Sequence, residues 1–367
     1  MKVAIVHYWL ISMRGGEKVL EKLLELYPDA TLITHVCDPE AVPDIVRDRE
    51  VRETFIAGLP GARKHYQKYL PFMPRALEQM DMQEFDLVLS SESGPAKGII
   101  PRPDAAHVCY CHSPMRYIWD HYHIYRDSAG RLARLAMPHI AHNLRIWDVT
   151  SAARVDHFIA NSSFIAQRIE KYYRREAEVI APPVAVDDFR IADAVDDHYL
   201  LAGELVSYKR PDLAIEAFNA SGRKLTVVGD GEMRSRLESM AGPNITFLGR
   251  VPFDRLKAEF ARARGLIFPG EEDFGIVPIE VMACGRPVVA LKRGGALDYV
   301  IPGQTGEFFD SPTVTSLNAA IDRLEAHPTL TDSAGAIRAH AEKFHGDVFK
   351  ERVKASVDAT LAARNRV

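Results

Sequence analysis

Cysteine is scarce in this sequence: four in 367 residues, standing apart or as Cys109-x-Cys111, which is neither a zinc-ribbon nor a redox spacing. That excludes a disulfide framework and makes a reducing cytoplasm the expected setting. No apolar run approaches the ~18 residues that a membrane-spanning helix needs. The apolar start MKVAIVHYWLI is followed by no small-residue cleavage site, so it reads as a first strand leading into the turn at Arg14-Gly15-Gly16 rather than as a signal peptide. Basic excess is missing too. The net charge is -4, and residues 1–180 carry 23 basic and 23 acidic side chains against 23 and 27 in the remainder, a balance that argues against a nucleic-acid partner and names no other. No Asp-x-Asp occurs. The one cluster of metal-ligating types, His107-Val108-Cys109-Tyr110-Cys111-His112, reads as a strand whose alternation puts His107, Cys109 and Cys111 on one side and His112 on the other, so the ligands do not converge and no metal is expected.

What is present describes a globular α/β protein. Hydrophobic residues at 47% and charged residues at 26% suit a packed core, and 367 residues exceed what one core supports, so two domains are expected. Short apolar runs alternate with helical patterns: KVAIVH, the amphipathic GGEKVLEKLLELYP, TLITHV, FDLVLSSES, AHVCYCHS and HFIANSS, then YLLAGE, a helix opened by Pro211, KLTVVGDGE, NITFLGRV and FDRLKAEFARA. Strands alternating with helices indicate parallel sheets. The extended segment Val179 to Phe189, with its Pro-Pro pair, reads as the linker between domains.

The most informative stretch runs from Gly265 to Val300. An apolar run breaks at Pro269-Gly270, passes an acidic loop, enters a helix near Pro278 and leaves it at Gly285 for a second apolar run, Pro287 to Leu291. In a strand-loop-helix-strand unit, ligands sit beyond the carboxyl ends of the strands, here at Glu272, the backbone of Phe274, Gly275, Ile276 and Val277, and Glu280. Free N–H groups at a helix start can hold a diphosphate, and a carboxylate accepts bonds from sugar hydroxyls. By themselves the two glutamates fit an ordinary exposed acidic loop equally well.

Their spacing is more telling. Glu272, seven residues, then Glu280, with Phe-Gly after the first and Gly-x-Pro-Val-Val after the second, resembles the signature of the family 4 glycosyltransferases of GT-B fold. The resemblance implies two Rossmann-like domains facing a central cleft: an acceptor-binding domain over 1–182, a nucleotide-sugar-binding domain over 183–345, and a C-terminal helix over 346–367 crossing back to the first. It implies that Glu272 lies against the donor sugar and Glu280 holds the ribose. It also implies that Gly15 and Gly16 approach the donor phosphate, that His112 touches the transferred sugar, that Gly203 and Lys209 meet the diphosphate, and that Arg250 and Val251 meet the base. His112 and Lys209 each have a plainer alternative, as a core histidine and a solvent-exposed lysine. Glu204 stands where the family places an arginine, so Arg210 is the expected substitute and Glu204 is expected to point away from the phosphates.

Catalysis is thus assigned to His112, Lys209 and Glu272, in a retaining transfer that uses a nucleotide-sugar donor, no cofactor and no metal. The runs KYLPFMPRALEQMD, CYCHSPMRYIWD and LVSYKRPDLAIEAF are similar to bacterial mannosyltransferases of exopolysaccharide and O-antigen assembly, implying GDP-mannose and a polyprenyl-diphosphate-linked glycan. A UDP-sugar enzyme of the same fold and a non-catalytic sugar-nucleotide-binding protein stay open as alternatives. Arg63, Lys64, Lys68 and Tyr69 lie in a basic, aromatic, acid-free stretch that suits acceptor or membrane contact at the inner face of the membrane, and equally an ordinary helix with a solvated basic face.

Overall fold

The structure is a computed structural model; it describes residues 1–12, 15–327 and 333–364, so Arg14 of the glycine turn and the last three residues of the expected terminal helix lie outside the described residues. The chain divides into two compact units, one built from residues 1–183 and 349–367, the other from 184–348.

The first unit carries seven parallel strands: β1 (Val3–His7), β2 (Thr31–Thr34), β3 (Val51–Glu53), β4 (Leu87–Glu92), β5 (Ala106–Cys111), β6 (His157–Ala160) and β7 (Glu178–Val179), in the order β3-β2-β1-β4-β5-β6-β7. Every residue of β1, β2, β4 and β5 is buried, as expected of a parallel sheet covered on both faces. The alternation of β5 sorts its side chains between two cores: Cys109 and Cys111 pack with Phe158 and Ile165, while Val108 and Tyr110 pack with Leu23 and Phe349. The helix Gly346–Arg364 supplies Phe349, Val353 and Val357 to that second core, and Lys350 reaches Glu25 at 2.9 Å. This helix starts at Gly346 because a short 3-10 turn, Glu342–Phe344, occupies the residues before it. Val179, expected in the linker, pairs as part of β7 instead.

Beneath the carboxyl end of β4 lies a sealed ionic cluster. Lys97, fully buried, donates to Glu92 at 2.6 Å and also to Asp148 in the helix Arg131–Ala152. Asp148 further accepts from Trp119 Nε1 at 2.7 Å and Tyr173 Oη at 2.9 Å, and Glu92 accepts from the Lys97 amide at 2.5 Å. Burial alone would discharge the lysine, yet Asp148 and Glu92 hold its pKa above the ordinary value, so it stays charged.

The second unit has six parallel strands: β8 (Tyr199–Ala202), β9 (Leu225–Val228), β10 (Ile245–Gly249), β11 (Leu266–Phe268), β12 (Val288–Leu291) and β13 (Gly306–Phe309), in the order β10-β9-β8-β11-β12-β13. Chain order thus reverses between β1 and β4 in the first unit and between β8 and β11 in the second. In an open α/β sheet, a crevice forms at such a reversal, outside the carboxyl ends of the strands.

Candidate active site

In the second unit that crevice is built by glycines packed backbone to backbone. Gly203 leaves β8 with φ +134°, and Gly229 leaves β9 with φ +133°; a Cβ on Gly229 would sit 1.9 Å from the Gly203 carbonyl oxygen. Gly270, after β11, is pressed as closely on Lys209, whose Cα would lie 2.6 Å from an added Cβ. This close approach brings Lys209 and Glu272 together: Nζ stands 3.0 Å from Oε1, in a small pocket lined also by Gly203, Glu204 and Pro211. Desolvation would lower the lysine pKa, but Glu272 outweighs it with help from Tyr208 and Glu204, and the net shift is upward. Lys209 therefore stays an ammonium beside Glu272.

The loop after Glu272 is clamped by the next turn. The Gly295 amide donates to the Glu272 carbonyl at 2.9 Å, Tyr299 Oη donates to the Phe274 carbonyl at 3.0 Å, and a Cβ on Gly294 would come 2.4 Å from the Glu272 oxygen. Phe274 itself is buried against Tyr299, so only its backbone is available to a ligand. Gly275, at φ +88°, then starts the helix Ile276–Ala283 with no side-chain cap, which leaves the first amides of Ile276 and Val277 unclaimed by a capping side chain. One turn on, Glu280 is half-buried, and its carboxyl group has no hydrogen-bond or ion-pair partner among the described residues. Burial, and to a lesser degree the charge of Asp188, push its pKa up to about 7.

The Arg210 guanidinium lies on Asp212 at 3.1 Å, an acid in the first turn of the helix Pro211–Ser221. Glu204 is exposed, lines the same pocket as Lys209 and contributes to the lysine's raised pKa. Arg250 and Val251 follow β10, the edge strand, two strands from β8. Arg250 is exposed and unpaired among the described residues, and no recorded contact joins it to the Lys209–Glu272 pair.

In the first unit the corresponding crevice is lined by two histidines joined through a serine. His7 ends β1 directly opposite Ser91 of β4, and His112 follows β5. Ser91 Oγ lies 3.1 Å from His7 Nδ1 and 2.9 Å from His112 Nε2, so one hydroxyl joins two imidazoles. His7 Nε2 in turn is 3.9 Å from Glu17 Oε1, in the first turn of the helix Gly15–Leu26. The Asn161 amide donates to the His112 carbonyl at 3.0 Å and fixes its backbone. Burial, then the neighbouring His7, lower the His112 pKa to about 3 against a smaller opposing pull from Glu17, which keeps the ring neutral at physiological pH. Gly16 comes close to this ring: its Cβ, if present, would lie 3.7 Å from His112 Nε2 and 2.7 Å from Tyr8 Oη. Gly15 begins the same helix and is exposed. The structure thus gathers Gly16 and His112 with three residues that sequence reading passed over: His7, Ser91 and Glu17. The only local signal was Ser90-Ser91-Glu92 ending an otherwise apolar strand.

The basic stretch is not one helix. Gly61, at φ +62°, separates the 3-10 turn Phe55–Gly58 from the helix Ala62–His65, and the 3-10 run Tyr66–Phe72, which contains Pro71, leads into the helix Met73–Glu78, with Pro74 in its first turn. Arg63, Lys64 and Lys68 are exposed, and Phe72 is 53% exposed beside them. Tyr69 donates to the Pro60 carbonyl at 2.7 Å, and Tyr66 packs on Trp9 with ring centroids 4.7 Å apart.

Residues 13–188 match the family model described as Glycosyltransferase Family 4, and residues 192–343 match that of glycosyl transferases group 1. A GDP-mannose-dependent alpha-(1-6)-phosphatidylinositol monomannoside mannosyltransferase of Mycolicibacterium smegmatis is 28% identical over 235 residues, covering 53% of this chain and 62% of that protein. A D-inositol 3-phosphate glycosyltransferase of Acidothermus cellulolyticus is 28% identical over 251 residues, covering 59% and 56%. The chain spans under two thirds of the length of these curated relatives. Among solved structures, Anabaena HepE in complex with UDP aligns over 98% of this chain and 100% of its own at a TM-score of 0.72 and 16% identity. The apo lipopolysaccharide outer core galactosyltransferase WaaB aligns over 98% and 99% at 0.70 and 13%. At such identity these structures speak to the fold alone.

Proposed function

Because the chain belongs to the family 4 glycosyltransferases of GT-B fold, we propose that it is a retaining, metal-independent transferase that moves mannose from GDP-mannose to a glycan acceptor, in bacterial surface-polysaccharide synthesis. The observation that carries this reading is the Lys209–Glu272 pair, 3.0 Å apart at the β8/β11 reversal, beside an uncapped helix start and the unpartnered Glu280. Donor binding exchanges partners in that pair: a phosphate takes Lys209, which frees Glu272 for the sugar hydroxyls. When the bond from the anomeric carbon to the diphosphate oxygen breaks, its electron pair leaves with the diphosphate. At 4 Å one cation and one such charge attract by about 4 kcal/mol at an effective dielectric near 20, and Lys209 with the amides of Ile276 and Val277 supplies that attraction as charge develops. The acceptor hydroxyl attacks the same face and passes its proton to the departing phosphate oxygen. Glu280, half-buried and free, suits the two hydroxyls of a ribose, and the neutral His112 suits a hydroxyl of the sugar.

The mannose and guanine assignments rest on the quoted sequence runs and on relatives whose names specify GDP-mannose. A polyprenyl-diphosphate-linked acceptor and contact with the inner face of the membrane rest on exposed Arg63, Lys64 and Lys68 with Tyr69 and Phe72 nearby. No described helix is long and apolar enough to cross a membrane. A thermal-shift panel of GDP, UDP, ADP and their sugars tests the donor, since a ligand of the native state raises the apparent Tm. GDP and GDP-mannose are expected to give the largest shifts, followed by release of GDP when acceptor is added. A larger UDP shift would move the assignment to a UDP-sugar, and binding without turnover would make the protein a sugar-nucleotide carrier.

A further inference from the structure

The hydroxyl that joins His7 to His112 has one proton. Ser91 Oγ can donate to only one of the two imidazole nitrogens that flank it, at 3.1 and 2.9 Å, and must accept from the other. With each ring carrying a single proton, two chains are open. In one, His7 Nδ1–H donates to Ser91, whose hydroxyl donates to His112 Nε2. In the other, His112 Nε2–H donates to Ser91, whose hydroxyl donates to His7 Nδ1. They differ in what the far side of His7 presents. Its Nε2 is buried, has no hydrogen-bond partner, and faces Glu17 Oε1 at 3.9 Å. The first chain turns a nitrogen lone pair toward that carboxylate; the second turns an N–H toward it. In a buried, low-dielectric surrounding a lone pair against a carboxylate is repelled and an N–H is attracted, so the second is the more stable of these two chains.

We infer that Glu17, His7 and Ser91 act as positioning residues that hold His112 as its Nε2–H tautomer, leaving the Nδ1 lone pair to accept a hydrogen bond from a hydroxyl of the transferred sugar. Nδ1 has no partner among the described residues, His112 keeps part of its surface accessible, and Asn161 fixes its backbone. The ring is neutral, as a tautomer switch requires. Tautomer choice at a histidine is set by the bond its other nitrogen makes, and here that bond is selected two residues away by a buried acid. The consequence is chemical: the site discriminates for a sugar that offers a hydroxyl proton at that point, and against one whose oxygen there is methylated.

This inference rests on the reading of His112 as a sugar contact, but its first readout does not. In protein labelled with 15N-histidine, with the His112 signals identified by their loss in His112→Asn, wild type is expected to show Nε2 protonated and Nδ1 bare. Ser91→Ala should give a mixture of the two forms and a roughly tenfold lower kcat with little change in the nucleotide KM, and Ser91→Thr, which keeps the hydroxyl, should restore both. A protonated Nδ1 on His112 in wild type would overturn the relay, as would an unchanged tautomer and kcat in folded Ser91→Ala. The tautomer is read whether or not a nucleotide sugar turns over, so a failure of the relay and a failure of the transfer reading are told apart.

Discussion

The two sheets place different chemistry at the same topological position. Where β1 meets β4, the lining is His7, Ser91 and His112, joined through the Ser91 hydroxyl. Where β8 meets β11, it is Lys209 against Glu272, with Glu280 close along the next helix. The first unit does not lack charge; it hides it. Glu92, Lys97 and Asp148 are fully buried and spent on one another below the crevice. A fold of this kind can thus keep charge at the surface of a crevice, where a departing phosphate needs it, or beneath it, where it serves only to hold strand ends in place.

The largest test of that contrast is Lys97→Met. Removing one partner of a buried ionic cluster leaves carboxylates without compensation, so a loss of about 3–5 kcal/mol is expected in denaturant unfolding. A change below 1 kcal/mol would show that the cluster is not what holds the end of β4. Lys209→Ala should leave stability nearly unaltered yet lower turnover by more than about tenfold, an energy above 1.4 kcal/mol, because the lost interaction grows as the diphosphate departs. Normal turnover would remove Lys209 from the mechanism and erase the difference between the crevices.

Glu280 gives a pH test of similar size. With its pKa near 7 in the free protein, a ribose that binds the carboxylate must draw off a proton. Nucleotide affinity should therefore fall by up to about tenfold per pH unit below 7, and calorimetry in buffers of different ionisation enthalpy should detect proton release. Glu280→Gln should abolish both effects. In the ligand-free protein the sign reverses. A carboxyl group whose folded pKa lies above its unfolded value contributes stability that is full below about 4.5 and is lost as pH rises through about 7. The smallest effect is expected on the exposed basic run: Arg63→Gln, Lys64→Gln and Lys68→Gln should each weaken binding to anionic liposomes by about 1 kcal/mol. Binding insensitive to all three and to salt would leave that run an ordinary solvated surface.

Much of the charged crevice was legible in the sequence because its parts are close in the chain. Glu272, Phe274, Gly275 and Glu280 fall within nine residues, and their spacing alone points to a loop feeding a helix. The histidine crevice was not legible in the same way. His7 and Ser91 meet only through a strand register spanning 84 residues, and nothing local to either announces the other. The helix Arg131–Ala152 was missed because its pattern misleads. Pro138 lies inside it, Leu132 and Leu135 are 85% and 79% exposed, and the buried stripe begins only at Ala141. The contact of Arg210 with Asp212, two residues later, was likewise not read from the sequence.

The discontinuity of the first unit has a consequence for how the protein is made. Its core is completed by Phe349, Val353 and Val357, which leave the ribosome only after all of residues 184–348 have been synthesised. At ~5–20 residues per second that interval is roughly 10–30 s, during which Leu23, Leu32 and Tyr110 wait without the side chains that cover them. The inserted unit is contiguous and has no such wait. At its boundary the Val184 amide bonds the Phe344 carbonyl at 2.9 Å, so its two ends are tied together within the unit itself. The later-made half of the protein can thus be the first to finish folding.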